Sequence, residues 1–200
     1  MDKRPAVFLD RDGTMVHDVG YLSRREDLKW FPYTIDAIRL LNRAGFLVFV
    51  TTNQGGIALG FCTETFVREV HDEMSAFVAV SGGRVDGWFF CPHHPLARDE
   101  RLKVNCDCRK PRPGMIHQAT EQFEIDLAHS FVVGDKVADV DLAAGVGARG
   151  ILVRTGYGEA ELLRHGGDVP RAAYVAAELM DATSWILTQA GHPNPGNHLT

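Results

Sequence analysis

Asp10 and Asp12 stand one residue apart, directly after the apolar run Val7-Phe8-Leu9 and ahead of Gly13-Thr14. A continuous apolar run ended by turn residues reads as a strand buried on both faces. Ligands in open α/β sheets bind at the carboxyl ends of such strands. The two carboxylates are therefore placed at the mouth of a site, where Gly13 lets the chain turn sharply. A carboxylate in the position of Asp10 can attack phosphorus and form an aspartyl phosphate. One in the position of Asp12 can protonate the leaving oxygen and then activate water. An anion attacking a phosphate is repelled, so the pair calls for a hard cation. Mg2+ suits, because it takes oxygen ligands and shares them with substrate phosphates. The plainer alternative is a strand that ends in a solvated acidic turn.

Three further stretches carry residues of matching chemistry. Phe46 to Val50 reads as a second strand, ending in Thr51-Thr52-Asn53-Gln54-Gly55-Gly56. Hydroxyl, amide and glycine donors at a strand end can converge on a phosphate oxygen, although the same residue types also form ordinary turns. Arg109-Lys110-Pro111-Arg112-Pro113-Gly114 is a basic cluster opening a helix. Lys110 can neutralise a transferring phosphoryl group as a point charge, and Arg109 can grip another anionic part of the substrate. Ser130 to Val133 reads as a strand that delivers Asp135, a further carboxylate for Mg2+, followed by Lys136, which could contact substrate, and by Asp139, expected to cap the next helix or sit behind the metal ligands. The loop 15–32 holds Asp18-Val19-Gly20-Tyr21 one step from the aspartates and could also touch substrate.

A second constellation has a different character. Cys91-Pro92-His93-His94-Pro95 and Cys106-Asp107-Cys108 supply a Cys-x-His and a Cys-x-Cys pair, with twelve residues between His93 and Cys106. Three thiolates and one imidazole match a closed tetrahedral zinc site. With four protein ligands such a zinc has no open position, so Cys91, His93, Cys106 and Cys108 read as a structural site that pins a loop of about twenty residues, roughly 91–110. Free thiols or a Cys106–Cys108 disulfide are the alternatives, and Cys62 reads as an ordinary buried thiol.

The elements that must position these groups follow from periodicity. Apolar runs alternate with amphipathic stretches, as βαβ units and a parallel sheet require. Helices are expected from Ile35 to Ala44, from Thr63 to Val80 with Phe66, Val67, Val70, Met74 and Phe77 on the core face and His71 in solvent, from Met115 to Phe123, and from Val140 to Ala144. Further strands are expected at Val85–Phe90, Gly150–Val153 and near Ala173–Val175, before a last helix near Ala176–Leu187. Two hundred residues with 45% hydrophobic and 24% charged content suit one domain over residues 1–189, and 190–200 reads as a disordered tail. The net charge of −5 offers no general attraction to nucleic acid or anionic membrane. No apolar run is long enough for a transmembrane helix, and Met1 to Pro5 leaves no room for a signal peptide. A cytoplasmic monomer acting on a small molecule is expected.

Asp-Arg-Asp-Gly-Thr at 10–14 resembles the first motif of the haloacid dehalogenase-like phosphatases. Asp-x-Gly-Tyr, Thr-Asn-Gln-x-Gly-Ile, Cys-Pro-His-His-Pro, Cys-Asp-Cys-Arg-Lys-Pro and Gly-Asp-Lys follow in order over residues 6–156, and the set is similar to the heptose 1,7-bisphosphate 7-phosphatase and histidinol-phosphatase family. The resemblance implies a Rossmann-like α/β domain, a zinc loop and Mg2+-dependent removal of the C7 phosphate of a phosphorylated heptose. It implies Asp10 as nucleophile, Asp12 as acid and base, and Thr52 and Lys110 on the transferring phosphoryl group. It also implies Mg2+ on Asp10, the Asp12 carbonyl and Asp135, and zinc on His93 rather than His94. Asp18, Gly20, Tyr21, Asn53, Gln54, Arg109 and Lys136 fall on its substrate positions. The chain departs from the family at Val19, where many members carry histidine, and at Gly56 and Leu59, in place of serine and arginine. These positions lie near the rim and bear on which sugar is bound, not on the chemistry.

Spacing adds that no cap domain is present. Thirty-eight residues separate Asp12 from Thr51 and 57 separate Thr52 from Lys110, and both gaps are filled by the elements already named. Histidinol phosphate is the competing substrate within this chemistry. A phospho-accepting signalling domain is the competing class, since such domains also phosphorylate a strand-end aspartate. Asp12 speaks against it, because a built-in base strips the phosphate quickly.

Overall fold

The structure is a computed structural model, and it describes residues 3–190. Residues 191–200, most of the expected tail, lie outside the described residues, and Ala190 closes the last helix. Six strands, β1 (Ala6–Leu9), β2 (Leu47–Asn53), β3 (Gly87–Cys91), β4 (Phe131–Gly134), β5 (Arg149–Val153) and β6 (Ala172–Ala176), form one sheet in the order β3-β2-β1-β4-β5-β6. All five pairings are parallel. The chain moves outward from β1 to β3, then returns to the other side of β1 with β4. The carboxyl ends of β1 and β4 therefore flank the topological switch point, where a crevice opens in doubly wound sheets.

Burial follows the pleat. Val7 and Leu9 of β1 join the core on one face of the sheet, Ala6 and Phe8 that on the other. The first core is closed by α1 (Thr34–Arg43), α2 (Glu64–Val80) and α6 (Leu179–Ala190) through Ile38, Leu41, Val70, Met74 and Ile186. The second is closed by α3 (Gly114–Gln122) and α4 (Val137–Gly145) through Met115, Ile116, Leu142 and Ala143. Phe8 stacks on Phe49 at 5.2 Å, and each such fully buried side chain contributes roughly 1.5–3 kcal/mol. The short α5 (Gly158–Arg164) covers β5 and was not apparent in the periodicity.

Three details differ from the sequence reading. First, β2 runs to Asn53 rather than Val50, because Thr51, Thr52 and Asn53 pair with Phe89, Phe90 and Cys91. Thr51, Thr52 and Asn53 thus sit on the strand, and Gln54 follows it. Second, α4 begins at Val137, which puts Asp139 in its first turn. Third, the buried stripe of α2 is Val67, Val70, His71, Met74 and Val78, while Phe77 is half exposed and packs on Trp30. His71 is in the core, its ring stacked on Trp88 at 4.8 Å and its Nε2 3.2 Å from Arg11 Nη1. Thr63 caps α2 as expected, accepting from the Phe66 N–H at 3.1 Å.

The loop 15–32 folds back as a flap. His17 N–H donates to Lys29 O and Phe31 N–H to Met15 O, and the Thr34 hydroxyl anchors Met15 O at 2.7 Å. Among the described residues no cap intervenes between β1 and β2 or between β2 and α3, and no helix is long and apolar enough to cross a membrane.

Candidate active site

Asp10 follows β1 in the ladder direction, its N–H donating to Val133 O at 2.8 Å. Its carboxylate accepts from the Arg11 N–H at 2.8 Å and lies 2.9 Å from Lys110 Nζ. Asp135, just past β4, reaches the same point. Carboxylate oxygens of Asp10, Asp135 and Asp139 all lie within 4.8 Å of one another. The approach depends on two glycines in the left-handed region, Gly13 (φ +82°) and Gly156 (φ +57°). A Cβ on Gly13 would lie 2.1 Å from Asp135 Oδ2, and one on Gly156 2.2 Å from it. Neither position can carry a side chain while Asp135 keeps its place. Asp135 Oδ2 accepts from the Tyr157 N–H at 2.8 Å, whereas Oδ1 is buried without a hydrogen-bond partner.

The three carboxylates are not equivalent. Asp139 lies 2.6 Å from Lys110 Nζ and accepts from the Lys136 N–H at 3.2 Å, so it neutralises the lysine and caps α4. Asp10 and Asp135 remain for a cation. Burial works against the charge on Asp10, but Lys110 and Lys136 outweigh it and hold its carboxyl below the usual range. Asp135 has less compensation. Burial, with the Asp10 charge added, pushes it up to about 7. Asp139 is also raised by burial, which Lys110 only partly offsets. Burial opposes the charge on Lys110 and Lys136 too, yet the surrounding aspartates raise both ammonium groups above the ordinary lysine range. Two buried carboxylates facing each other, one with an orphaned oxygen, are a good fit for a hard divalent ion such as Mg2+.

β2 presents the other half. Lys110 Nζ donates to Thr51 O at 2.9 Å, which aligns it under the strand end. Asn53 grips the Lys110 main chain from both sides, its Oδ1 accepting from Lys110 N–H at 3.0 Å and its Nδ2 donating to Lys110 O at 3.3 Å. Gln54 Nε2 donates to Thr52 Oγ1 and to Asp12 Oδ2, each at 2.8 Å. The amides read as substrate donors are thus engaged with the protein, holding Lys110, Thr52 and Asp12 in place. Above them opens a cleft of about 300 Å³, lined by Asp10, Asp12, Asp18, Gly20, Tyr21, Thr52, Asn53, Gln54, Arg109, Lys110 and Lys136. Lys136 Nζ is 3.5 Å from Asp18 and lies over the Tyr157 ring at 4.6 Å. Asp18 Oδ1 accepts from the Gly20 N–H at 2.6 Å, which folds the flap tip back, and Tyr21 stacks on Phe61 at 4.6 Å on the rim.

Cys91, His93, Cys106 and Cys108 converge beside the cleft, with ligand atoms within 4.8 Å of one another. Cys91 Sγ lies 3.6 Å from Cys106 Sγ, 3.1 Å from Cys108 Sγ and 3.6 Å from His93 Nδ1, and His93 Nδ1 lies 3.3 Å from Cys108 Sγ. A tetrahedron with Zn–S bonds of about 2.3 Å has edges of about 3.8 Å, so the thiols need only move apart, by about 0.2 to 0.7 Å, to accommodate zinc. His94 is turned the other way. It lines the cleft, and its Nδ1 accepts from the Leu96 N–H. The Arg109 guanidinium donates to His93 O at 3.0 Å, coupling this loop to the cleft.

Sequence reasoning gave no role to Arg11, His71, His94 or Tyr157. Arg11 is the largest fully buried side chain, at 1% exposure. A charged residue between two aspartates in a turn gives no signal of burial. The only trace was His71, at core spacing on α2.

Residues 107–182 match the HAD-hydrolase-like family model. Over 154 residues the chain is 44% identical to D-glycero-beta-D-manno-heptose-1,7-bisphosphate 7-phosphatase of Escherichia coli K12, covering 76% of this chain and 80% of the relative. The chain belongs to the heptose bisphosphate phosphatase family of HAD-like hydrolases. A family member from Thermosynechococcus vestitus, named D-glycero-D-manno-heptose-1,7-bisphosphate 7-phosphatase, is 39% identical over 191 residues, 92% of this chain and 96% of that one. The crystal structure of D,D-heptose 1,7-bisphosphate phosphatase from B. bronchiseptica, complexed with magnesium and phosphate, superposes with a TM-score of 0.81 at 32% identity, covering 92% of this chain and 99% of that one.

Proposed function

We propose that this chain is a phosphoric monoester hydrolase that removes the C7 phosphate of D-glycero-D-manno-heptose 1,7-bisphosphate through an aspartyl phosphate on Asp10. The observation that carries the reading is the buried set of Asp10, Asp135, Asp139 and Lys110 at the switch point, which keeps Asp10 ionised beside an orphaned carboxylate oxygen. Asp10, Asp135 and the Asp12 carbonyl would hold Mg2+, which when bound neutralises the phosphate and orients it for in-line attack. An Asp10 oxygen attacks phosphorus as the bond from phosphorus to the C7 oxygen breaks. Asp12 gives its proton to that oxygen, releasing the sugar alcohol. Thr52 and Lys110 meet the charge on the equatorial oxygens. Asp12 then takes a proton from water as the water oxygen attacks phosphorus, which frees inorganic phosphate and restores Asp10.

Arg109 and Lys136 line the cleft and are suited to the distal phosphate, Lys136 standing 3.6 Å from Asp135 Oδ1 and 3.5 Å from Asp18, with Asp18, Gly20 and Tyr21 meeting the sugar. Zinc on Cys91, His93, Cys106 and Cys108 would be structural. Thiolates of this kind survive in a reducing compartment, which supports the cytoplasm as the place of action, and one chain suffices to build the site. Residues 1–189 would act as a single domain.

Phosphate release from the α and β heptose bisphosphates and from histidinol phosphate, with Mg2+ and with EDTA, tests this reading. The heptose esters should turn over only with Mg2+, and Arg109→Ala should be costly for them. Faster turnover of histidinol phosphate, insensitive to Arg109→Ala, would overturn the substrate assignment.

A further inference from the structure

Between the two aspartates, Arg11 makes more polar contacts than any group the mechanism uses. Its Nε donates to Asp12 Oδ1 at 3.1 Å, and its Nη2 lies 2.9 Å from Asp12 Oδ1, 2.8 Å from Asp12 Oδ2 and 3.0 Å from Gln54 Oε1. Its Nη1 lies 3.2 Å from His71 Nε2. Arginine offers only donors, so His71 Nε2 must be unprotonated and the ring proton sits on Nδ1. That Nδ1 is buried and has no partner among the described residues. The imidazole is fixed in its plane by stacking on Trp88 at 4.8 Å and by the edge of Phe90 at 5.7 Å. Burial, reinforced by Arg11 and Arg68, pushes its pKa down to about 3, so the acceptor stays neutral through the ordinary working range.

The turn itself does not need this side chain. Its main chain is closed by Met15 N–H to Arg11 O at 2.9 Å and by Gly13 N–H to Val16 O at 2.8 Å. A buried ion pair is also a poor device for stability alone, since well-packed apolar residues usually do as well. What the fork does achieve is orientation. It takes both oxygens of Asp12 from one side, Gln54 adds a donor from β2, and the carboxylate keeps 16% of its surface open to the cleft. We infer that Arg11 and His71 are positioning residues for Asp12: His71, from α2, fixes the guanidinium, and the guanidinium fixes the acid that protonates the leaving oxygen. This rests on the reading of Asp12 as acid and base given above. The reacting atoms do not change. The proton still passes from Asp12 to the ester oxygen and later from water to Asp12.

Positioning of an acid has a signature that loss of structure lacks. An alkyl ester needs the acid to expel its oxygen, whereas p-nitrophenyl phosphate expels a stable phenolate without it. The test compares the wild type with His71→Phe, His71→Gln and Arg11→Met, all loaded with Mg2+. First-turnover cleavage of the heptose bisphosphate and the p-nitrophenolate burst are measured, together with phosphate trapped on Asp10. His71→Phe keeps the aromatic stack and removes the acceptor. It should slow heptose cleavage about tenfold, with the burst within about twofold of wild type. Arg11→Met should slow heptose cleavage about a hundredfold and let phospho-Asp10 accumulate from p-nitrophenyl phosphate, because the base that clears it is misplaced. His71→Gln, whose amide oxygen can accept, should recover most of the loss. If Arg11→Met fails to fold, the His71 pair carries the test. Equal losses on both esters, no loss, or a gain in rate from a released Asp12 would each overturn the inference. A wild type that forms no phospho-Asp10 at all would instead sink the reading on which it rests.

Discussion

At the carboxyl ends of β1, β2 and β4, charged side chains are held by the parallel sheet and by one another. Asp10 continues a ladder, Lys110 is hydrogen-bonded to a β2 carbonyl, and two glycines leave room for Asp135. A few residues away, 92–113 form a loop without a helix or strand, drawn together at four side chains, of which only Cys91 belongs to a strand. In the first region Asp10 and Asp139 are paired with Lys110, and Asp135 is the buried charge left with an unbonded oxygen. The second has neither helix nor strand, and Cys91, Cys106 and Cys108 fasten it to the core beside α3. Yet Lys110 lies two residues after Cys108, and Arg109 is bonded to His93 O. The loop drawn together by the cysteines therefore delivers cations to the region built on the sheet.

The sharpest way to break this contrast is Asp10→Asn. It removes the proposed nucleophile, so turnover should fall on the order of 10⁴-fold or more, while the thermal melt stays close to wild type. Hydrolysis near the wild-type rate would remove Asp10 from the mechanism. Cys106→Ser should act through the loop instead. We expect protease cleavage and fast amide exchange confined to about 92–108, intact exchange protection in the sheet, and activity down about 10²-fold through misplaced Lys110 and Arg109. Restoring Mg2+ should not rescue it. Loss of protection in β1 or β4 would show that the two regions are not separable in this way.

Asn53→Ala probes the joint between them. Both hydrogen bonds to the Lys110 main chain are lost, and kcat/KM should fall about tenfold with a stability cost of about 1–2 kcal/mol by denaturant melt. The last test concerns acid. His71 has an ordinary pKa of 6.5 and one near 3 in the fold. Between those values the unfolded chain binds more protons than the native one, so stability rises with pH and is lost as pH falls from about 6.5 toward 3. Wild type should lose up to a few kcal/mol over this window that His71→Phe does not lose. Parallel stability curves for the two proteins would show that the histidine does not stay neutral in the fold.

Much of the site was legible because its chemistry is written at strand ends. Asp10, Thr52 and Asp135 each follow or close an apolar run, and a run of that kind in an alternating β and α pattern leaves few places for its last residue. The Cys-x-His and Cys-x-Cys pairs were legible for the same local reason, since thiols and an imidazole at such close spacing match the ligand pattern of a metal site. The division of labour was less visible. Asn53 and Gln54 read as substrate donors, but their amides are turned onto Lys110, Thr52, Asp12 and Arg11. His71 read as a solvated helix residue, but it faces the core.

The sequence by itself determined the kinds of atom available, the strands that end in them and the order in which they arrive. Pleat and helix periods are local properties, and so are metal-ligand spacings. Which carboxylates face Lys110 and which does not, which histidine joins the cysteines, and that Arg11 is buried against a helix 60 residues away were decided only by the tertiary structure. Those choices depend on the distances at which buried charges from different elements come to rest, and a charge out of water takes whatever partner the packing brings within reach.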